Sequence, residues 1–347
     1  MDIYRLALIG FGNVGQGFAQ ILRDGGKALE REHGLSLRIV AVSDLLKGSV
    51  YDANGLDPAA LLDAVAASGN LDGVTAQVRG WDALETIEKS QAEVVVELSY
   101  TDLQTGEPAI THLRRAIELG KHVVTTNKGP IALRYPELKA LADQHGVEIG
   151  VEGTVMSGTP ALRLGRELLA AAGIECIQGI LNGTTNYILS QMDAGADYSR
   201  ALAEAQAKGY AEADPAGDVE GFDGAGKVVI LSNLLMGAPV TMADVDRVGI
   251  TALTAEDVAM AQAAGERWKL IARVERVDGT IRASVRPQRL PVTHPLASVG
   301  GAPNAITFST RLLGDVTLIG AGAGRLETGY ALIEDLLAIH RRMSREG

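Results

Sequence analysis

Ile3-Tyr4-Arg5-Leu6-Ala7-Leu8-Ile9-Gly10-Phe11-Gly12-Asn13-Val14-Gly15 is the stretch that decides the fold. The apolar run from Ile3 to Ile9 reads as a buried strand, and Val14, Phe18, Ile21 and Leu22 then recur at helical spacing. Between strand and helix stands a GxGxxG made by Gly10, Gly12 and Gly15. In such a motif the first glycine permits a tight turn, the second lets the backbone approach a pyrophosphate, and the third lets helix and strand pack closely. The helix N-terminus adds free N–H groups and a positive dipole end. A strand before the motif and a helix after it give the context in which it implies dinucleotide binding.

Working outward, Leu37 to Val42 reads as the next strand and closes at Ser43-Asp44. Further strands are expected at Val94 to Leu98, His122 to Thr125 and Val147 to Gly150, with helices at 107–119 and 135–144 between them. Strands alternating with helices imply a parallel, doubly wound sheet. Residues 56–81 read as a helical interruption between strand units. Beyond residue 150 the alternation gives way to longer helical stretches (160–171, 198–208, 226–236) and strand-like runs at 177–181, 270–274 and 281–284. This predicts two domains: a dinucleotide-binding domain over 1–150, completed by a C-terminal helix within about 320–347, and an α+β domain over 151–319. A chain of 347 residues is long enough for both.

The net charge of −11 and the lack of a basic run argue against nucleic-acid binding, which needs clustered Lys and Arg. No apolar window approaches a membrane span, no targeting segment is visible, and a cytoplasmic location follows by default. Cys176, the single cysteine, excludes an intramolecular disulfide and reads as a buried structural residue.

Asp44, at the end of the second strand, is placed to accept from both adenosine ribose hydroxyls, which favours NAD. Lys47, three residues on, would pair with a 2′-phosphate and favour NADP, so the spacing leaves the choice open, and either residue fits a solvated loop charge equally well. Thr125-Thr126-Asn127-Lys128-Gly129-Pro130 carries a strand into a polar loop at the edge where ligands bind, where Lys128 can touch a cofactor or substrate oxygen, though position alone fits a solvated lysine as well. Glu152 to Pro160 is a loop of small residues able to turn carbonyls onto a cation, or to serve as a hinge.

Between Lys208 and Lys227 lie five carboxylates, Glu212, Asp214, Asp218, Glu220 and Asp223. A helix beginning near Asp223 places Asp223 and Lys227 on one face, one turn apart, ahead of the apolar run Val228 to Leu231. Alcohol oxidation needs a proton acceptor at the hydroxyl, aldehyde reduction a donor at the carbonyl oxygen, and a partly desolvated lysine can do both. Asp223 would orient it, and Glu212 could bind a substrate ammonium. An ordinary surface pair has the same spacing.

Taken together, these stretches resemble the homoserine dehydrogenase family over essentially the whole chain. The resemblance is carried by Gly179-Ile180-Leu181-Asn182-Gly183-Thr184-Thr185-Asn186-Tyr187, by Asp214-Pro215, Asp218, Gly221, Asp223 and Lys227, by Thr-Asn-Lys at 126–128, by His294-Pro295-Leu296, and by Gly322-Ala323-Gly324 with Thr328. It implies a Rossmann-type domain and a catalytic and dimerisation domain, paired as a homodimer. It implies interconversion of L-homoserine and L-aspartate 4-semialdehyde with NAD or NADP, in the route to threonine, methionine and isoleucine. Lys227 would be the acid/base with Asp223 its partner, and Lys128 would touch the cofactor and the reacting oxygen. Glu212, Asp218, Asp223 and the backbone at Gly183 and Thr184 would hold the substrate. Phe11, Asn13 and Val14 in the turn, with Ser99 and Gly324, would line the cofactor. A monovalent cation, usually sodium, would lie at Glu152, Val155, Ser157 and Thr159, held largely through backbone carbonyls. Met156-Ser157-Gly158 stands where the family commonly has Gly-Ala-Gly, and Gly226 where a larger residue is usual. A C-terminal ACT domain or a fused aspartate kinase is not expected, nor is threonine feedback through one. Two rivals fit the architecture: a dehydrogenase of another amino acid or semialdehyde, and a non-catalytic nucleotide sensor. The retained Lys128 and Lys227 argue against the sensor.

Overall fold

The structure is a computed structural model that describes residues 3–346, so residues 1 and 347, the outermost limits expected for the first domain, lie outside it. The chain divides into two units. One runs up to Gly158 and resumes at Gly324; the other spans Thr159–Ala323.

The first unit carries a seven-stranded sheet. Its strands are β1 (Ile3–Ile9), β2 (Ser36–Asp44), β3 (Gly48–Tyr51), β4 (Val78–Arg79), β5 (Val94–Glu97), β6 (His122–Thr125) and β7 (Ile149–Gly150), in the order β4-β3-β2-β1-β5-β6-β7. β1 pairs in parallel with β2 and β5, and β5-β6-β7 continue in parallel. Helices on both faces bury these strands twice over, which is why they read as continuous apolar runs. β3 and β4 are antiparallel, and close one edge. The helical reading of 56–81 is therefore corrected: only Pro58–Ser68 is helical, started by the Asp57 side chain on Ala59 N–H and stopped at Gly69 with φ 76°. Leu71 and Val74 are buried outside that helix, so their periodicity reports burial rather than helix. The helix expected at 135–144 begins at Lys128, capped by the Asn127 side chain, and is kinked at Arg134. The core gathers Leu6, Leu8, Phe18 and Leu22 with Leu332, Ile333, Leu336 and Leu337 of the last helix, Arg325–Glu346.

The second unit carries a six-stranded sheet: β8 (Ile174–Ile180), β9 (Val245–Arg247), β10 (Glu266–Val277), β11 (Thr280–Pro291), β12 (Asn304–Thr310) and β13 (Gly314–Gly320), in the order β13-β12-β8-β10-β11-β9. β10 and β11 form a long hairpin around Asp278-Gly279, both with positive φ, the conformation a two-residue hairpin turn requires. Helices at Gly183–Asp193 and Phe222–Leu231 carry Gly183, Thr184, Asp223 and Lys227. No helix among the described residues is long and apolar enough to cross a membrane.

Candidate active site

In the first unit the glycine turn lies at the carboxyl end of β1. Gly10 has φ 102°, and a Cβ there would stand 2.4 Å from the Leu98 carbonyl oxygen, so only glycine fits. A Cβ on Gly12 would meet nothing within 4 Å. That glycine serves no packing need and leaves room for a ligand. Gly12 also begins the helix Asn13–His33 with no side-chain cap, so its first N–H groups are open to an anion.

Asp44 closes the turn from the next strand. Its Oδ2 accepts from Phe11 N–H at 2.7 Å, and its Oδ1 accepts from Leu46 N–H at 3.0 Å and Lys47 N–H at 2.9 Å. The Lys47 ammonium is 3.7 Å from Oδ1. Burial pushes the carboxyl upward, but the three backbone donors and Lys47 together hold it below the usual carboxylate range. Asp44 and Lys47 line a cleft of about 830 Å³ with Gly10, Ser99, Trp81 and His112. Asn127 ties the Thr-Asn-Lys loop to this edge, its Nδ2 donating to the Ser99 and Tyr100 carbonyls at 3.2 and 3.1 Å. Lys128 stands half-buried as the first residue of its helix. Gly324, with φ 143°, precedes the last helix.

In the small-residue loop from Glu152 to Pro160, Glu152 is buried and its N–H donates to Asp335 at 2.9 Å. Met156 and Ser157 have φ 60° and 55°, unusual for two successive non-glycine residues, and the Ser157 and Thr328 hydroxyls are 2.7 Å apart. Thr159 opens the second unit and donates to the Ala321 carbonyl at 2.9 Å. Among the described residues no group of three or more His, Cys, Asp and Glu is placed to hold a metal.

In the second unit Asp223 lies in the first turn of its helix and Lys227 one turn later. Lys227 is 6% exposed, and its ammonium donates to Asp223 Oδ2 at 2.7 Å and to the Leu181 carbonyl at 2.6 Å. Asn182 joins the two halves of the site. Its Nδ2 donates to Asp218 at 2.7 Å and to Asp223 at 3.0 Å, while its Oδ1 caps the helix Gly183–Asp193 by accepting from Thr185 N–H. The Thr184 hydroxyl donates to the Tyr210 carbonyl, fixing the start of the acidic loop. Burial, with the Asp223 charge behind it, pushes the Asp218 carboxyl above its ordinary value, against the Asn182 donor and Lys227 that oppose the rise. Glu212 stands apart: it is exposed, and its carbonyl, not its carboxylate, is tied to Gln206. Sequence reading did not single out Asn182 or Asn127, although each directly precedes a helix and is of a type favoured at that position. Cys176 is partly rather than wholly buried, and desolvation pushes its thiol to about 11, an inert thiol at neutral pH.

An uncapped helix on a glycine turn beside a carboxylate, and in a separate unit a buried lysine held by a carboxylate and a carbonyl, are the parts of an NAD(P)-dependent oxidoreductase. Residues 160–337 match homoserine dehydrogenase and residues 10–152 the homoserine dehydrogenase NAD-binding domain. The chain belongs to the homoserine dehydrogenase family. It is 47% identical to a NAD(+)-dependent homoserine dehydrogenase of Pseudomonas canavaninivorans, the match covering 100% of this chain and 99% of the relative. It is 39% identical to the homoserine dehydrogenase of Methanocaldococcus jannaschii over 98% of both chains. The crystal structure of a putative homoserine dehydrogenase from Archaeoglobus fulgidus matches with TM-score 0.87 at 35% identity, covering 97% of this chain and 99% of that one. A hyperthermophilic archaeal homoserine dehydrogenase mutant in complex with NADPH matches with TM-score 0.84 at 29% identity, over 98% of each.

Proposed function

We propose that the chain interconverts L-homoserine and L-aspartate 4-semialdehyde, with Lys227 moving the proton at the substrate oxygen. The observation that carries this is the buried Lys227 ammonium, held between Asp223 and the Leu181 carbonyl. Both contacts are fixed before substrate arrives, so the proton is delivered or taken at a set position without reorganisation. Asp223 keeps the lysine aimed, and Asp218, joined to Asp223 through Asn182, supplies charge for the substrate ammonium. The backbone at Gly183 and Thr184, at a helix N-terminus, suits the substrate carboxylate. Gly10, Gly12, Asn13, Gly15, Ser99 and Lys128 would hold the dinucleotide, which when bound supplies the hydride acceptor or donor.

NAD is preferred over NADP in this reading. Asp44 is pinned by three backbone donors and cannot turn its charge away from a 2′-phosphate, and the 47% identical relative is named for NAD. We infer that the loop from Glu152 to Ser157 takes a monovalent cation, on the buried Glu152 carboxylate and the paired left-handed residues that re-aim the backbone. We also infer a homodimer and a place in threonine, methionine and isoleucine synthesis, readings that family membership supports. The test is absorbance at the reduced-nicotinamide band with L-homoserine and NAD or NADP in parallel. Faster turnover with NAD is expected, faster turnover with NADP overturns the preference, and a folded protein that binds dinucleotide but turns over neither overturns the substrate.

A further inference from the structure

Glu97 follows three buried valines at the end of β5 and is itself 0% exposed. A carboxylate in such a place loses its hydration and persists only when its oxygens are hydrogen-bonded. Ser99 N–H donates to Oε1 at 3.1 Å, and the Ser99 hydroxyl donates to the same oxygen. His112 Nδ1 lies 3.4 Å from Oε1, and the Thr125 hydroxyl donates to the Glu97 carbonyl at 2.8 Å while lying 3.4 Å from Oε2. Ser99 and His112 line the cleft beside the glycine turn, whereas Glu97 lies behind them.

A serine hydroxyl has one hydrogen and two lone pairs. Here the hydrogen is committed to Glu97, so only the lone pairs remain for whatever fills the cleft. We propose that Glu97 is a positioning residue for the dinucleotide: it fixes Ser99 Oγ as an acceptor, which then takes a hydrogen bond from an O–H or N–H donor of the cofactor. Asn127 secures the same segment from the other side through the Ser99 and Tyr100 carbonyls, so the direction of the lone pairs is set as well as their number. The inference rests on the reading of Ser99 as a cofactor contact. It also accounts for a feature that stability does not. An apolar residue of similar size in a wholly buried position is commonly as stable as a charge or more so.

The test is a double-mutant cycle on the full chain, read by NADH fluorescence titration. Ser99→Ala and Glu97→Met are each expected to weaken NADH binding about tenfold, the loss of one good hydrogen bond, and the double variant to be no weaker than either alone. Glu97→Gln keeps an acceptor oxygen and should stay within about twofold of the parent, with the KM for L-homoserine unmoved throughout. Met matches the length of Glu and suits burial; Glu97→Leu replaces it if Glu97→Met does not fold. Unchanged binding in Ser99→Ala overturns the cofactor role of Ser99 and the inference with it. Weakened Ser99→Ala with parental Glu97→Met overturns the inference alone. So do additive losses in the double variant, or Glu97→Gln as weak as Glu97→Met.

Discussion

Replacing Lys227 by methionine removes the ammonium and keeps most of the side-chain volume. In the parent that ammonium satisfies the Leu181 carbonyl at 2.6 Å and Asp223 at 2.7 Å. Removing one partner of a buried pair typically costs about 3–5 kcal/mol, because the other charge is left uncompensated. The Asp223 side chain is 16% exposed and keeps the Asn182 donor at 3.0 Å, which places the cost near the lower end, about 3 kcal/mol. For a unit of this size each kcal/mol moves the melting point by roughly 2–4 °C, so a fall of about 6–12 °C is expected. Activity should fall much further. Loss of a positioned acid/base costs about 10²–10⁴-fold, and the loss should appear in kcat. NADH affinity should be unchanged, since the dinucleotide residues belong to the first unit. Calorimetry, NADH titration and initial rates with L-homoserine read the three quantities separately. A variant that keeps more than about a tenth of the parental kcat would refute the assignment of the proton to Lys227. An unmoved melting point would show instead that the pair is effectively solvated.

Asp218→Asn should raise the melting point at neutral pH. Burial and the Asp223 charge raise the folded-state pKa of this carboxyl, so its contribution is full at low pH and is lost as pH rises through that raised value. The advantage of the variant should therefore shrink as pH falls toward about 4, and an advantage that grows on acidification would show the sign to be wrong. Gly12→Ala should melt like the parent while binding NADH at least about tenfold more weakly, because its Cβ meets only the space a pyrophosphate would fill. Gly10→Ala should instead lose about 3 kcal/mol of stability from its positive φ and the Leu98 carbonyl, and denaturant titration of both variants separates the two roles. Lys269 is 2% exposed, and burial lowers its pKa to about 8 from 10.5. Its contribution is present above the unfolded pKa and lost as pH falls through the folded one. The parent should thus gain melting temperature relative to Lys269→Met between pH 8 and 10.5, and parallel curves would exclude the linkage.

The parts of this molecule legible in the sequence are those set by neighbours along the chain. The strand, glycine turn and helix from Ile3 onward depend on local periodicity and on turn geometry that only glycine supplies. The Asp223–Lys227 pair was visible because helix spacing alone brings the two side chains together. The short edge strands β3 and β4 were not visible, since four and two residues carry too little pattern and their pairing is tertiary. Asp278-Gly279 does carry a hairpin signal, and the strands it joins, Glu266–Val277 and Thr280–Pro291, run well beyond the strand-like runs at 270–274 and 281–284 because their outer residues are largely polar and paired only in the fold. Leu181 lies 46 positions from Lys227 and Asn182 lies 41 from Asp223, so the residues that complete the lysine site meet it only through the fold.

Asp44 shows most clearly why residue type and position left a question that contacts narrow. From the sequence it is a ribose acceptor or a solvated charge, and nothing local decides. In the fold its two oxygens hold the N–H groups of Phe11, Leu46 and Lys47, so the same carboxylate shapes the glycine turn and sets the charge at the edge of the cleft. Glu97 repeats that arrangement two strands over, on the far side of β1, fixing Ser99 from behind. In both places a carboxylate at the end of a parallel strand spends its lone pairs on backbone and hydroxyl donors rather than on a cation alone. The consequence is rigidity: the groups facing the cleft are aimed before a ligand arrives, and binding free energy is not consumed in ordering them. Asp223 and Asn182 give the lysine of the second unit the same treatment. The acidic composition that argued against nucleic acid is thus put to structural use at each of these three points, where carboxylates hold the chemistry in place.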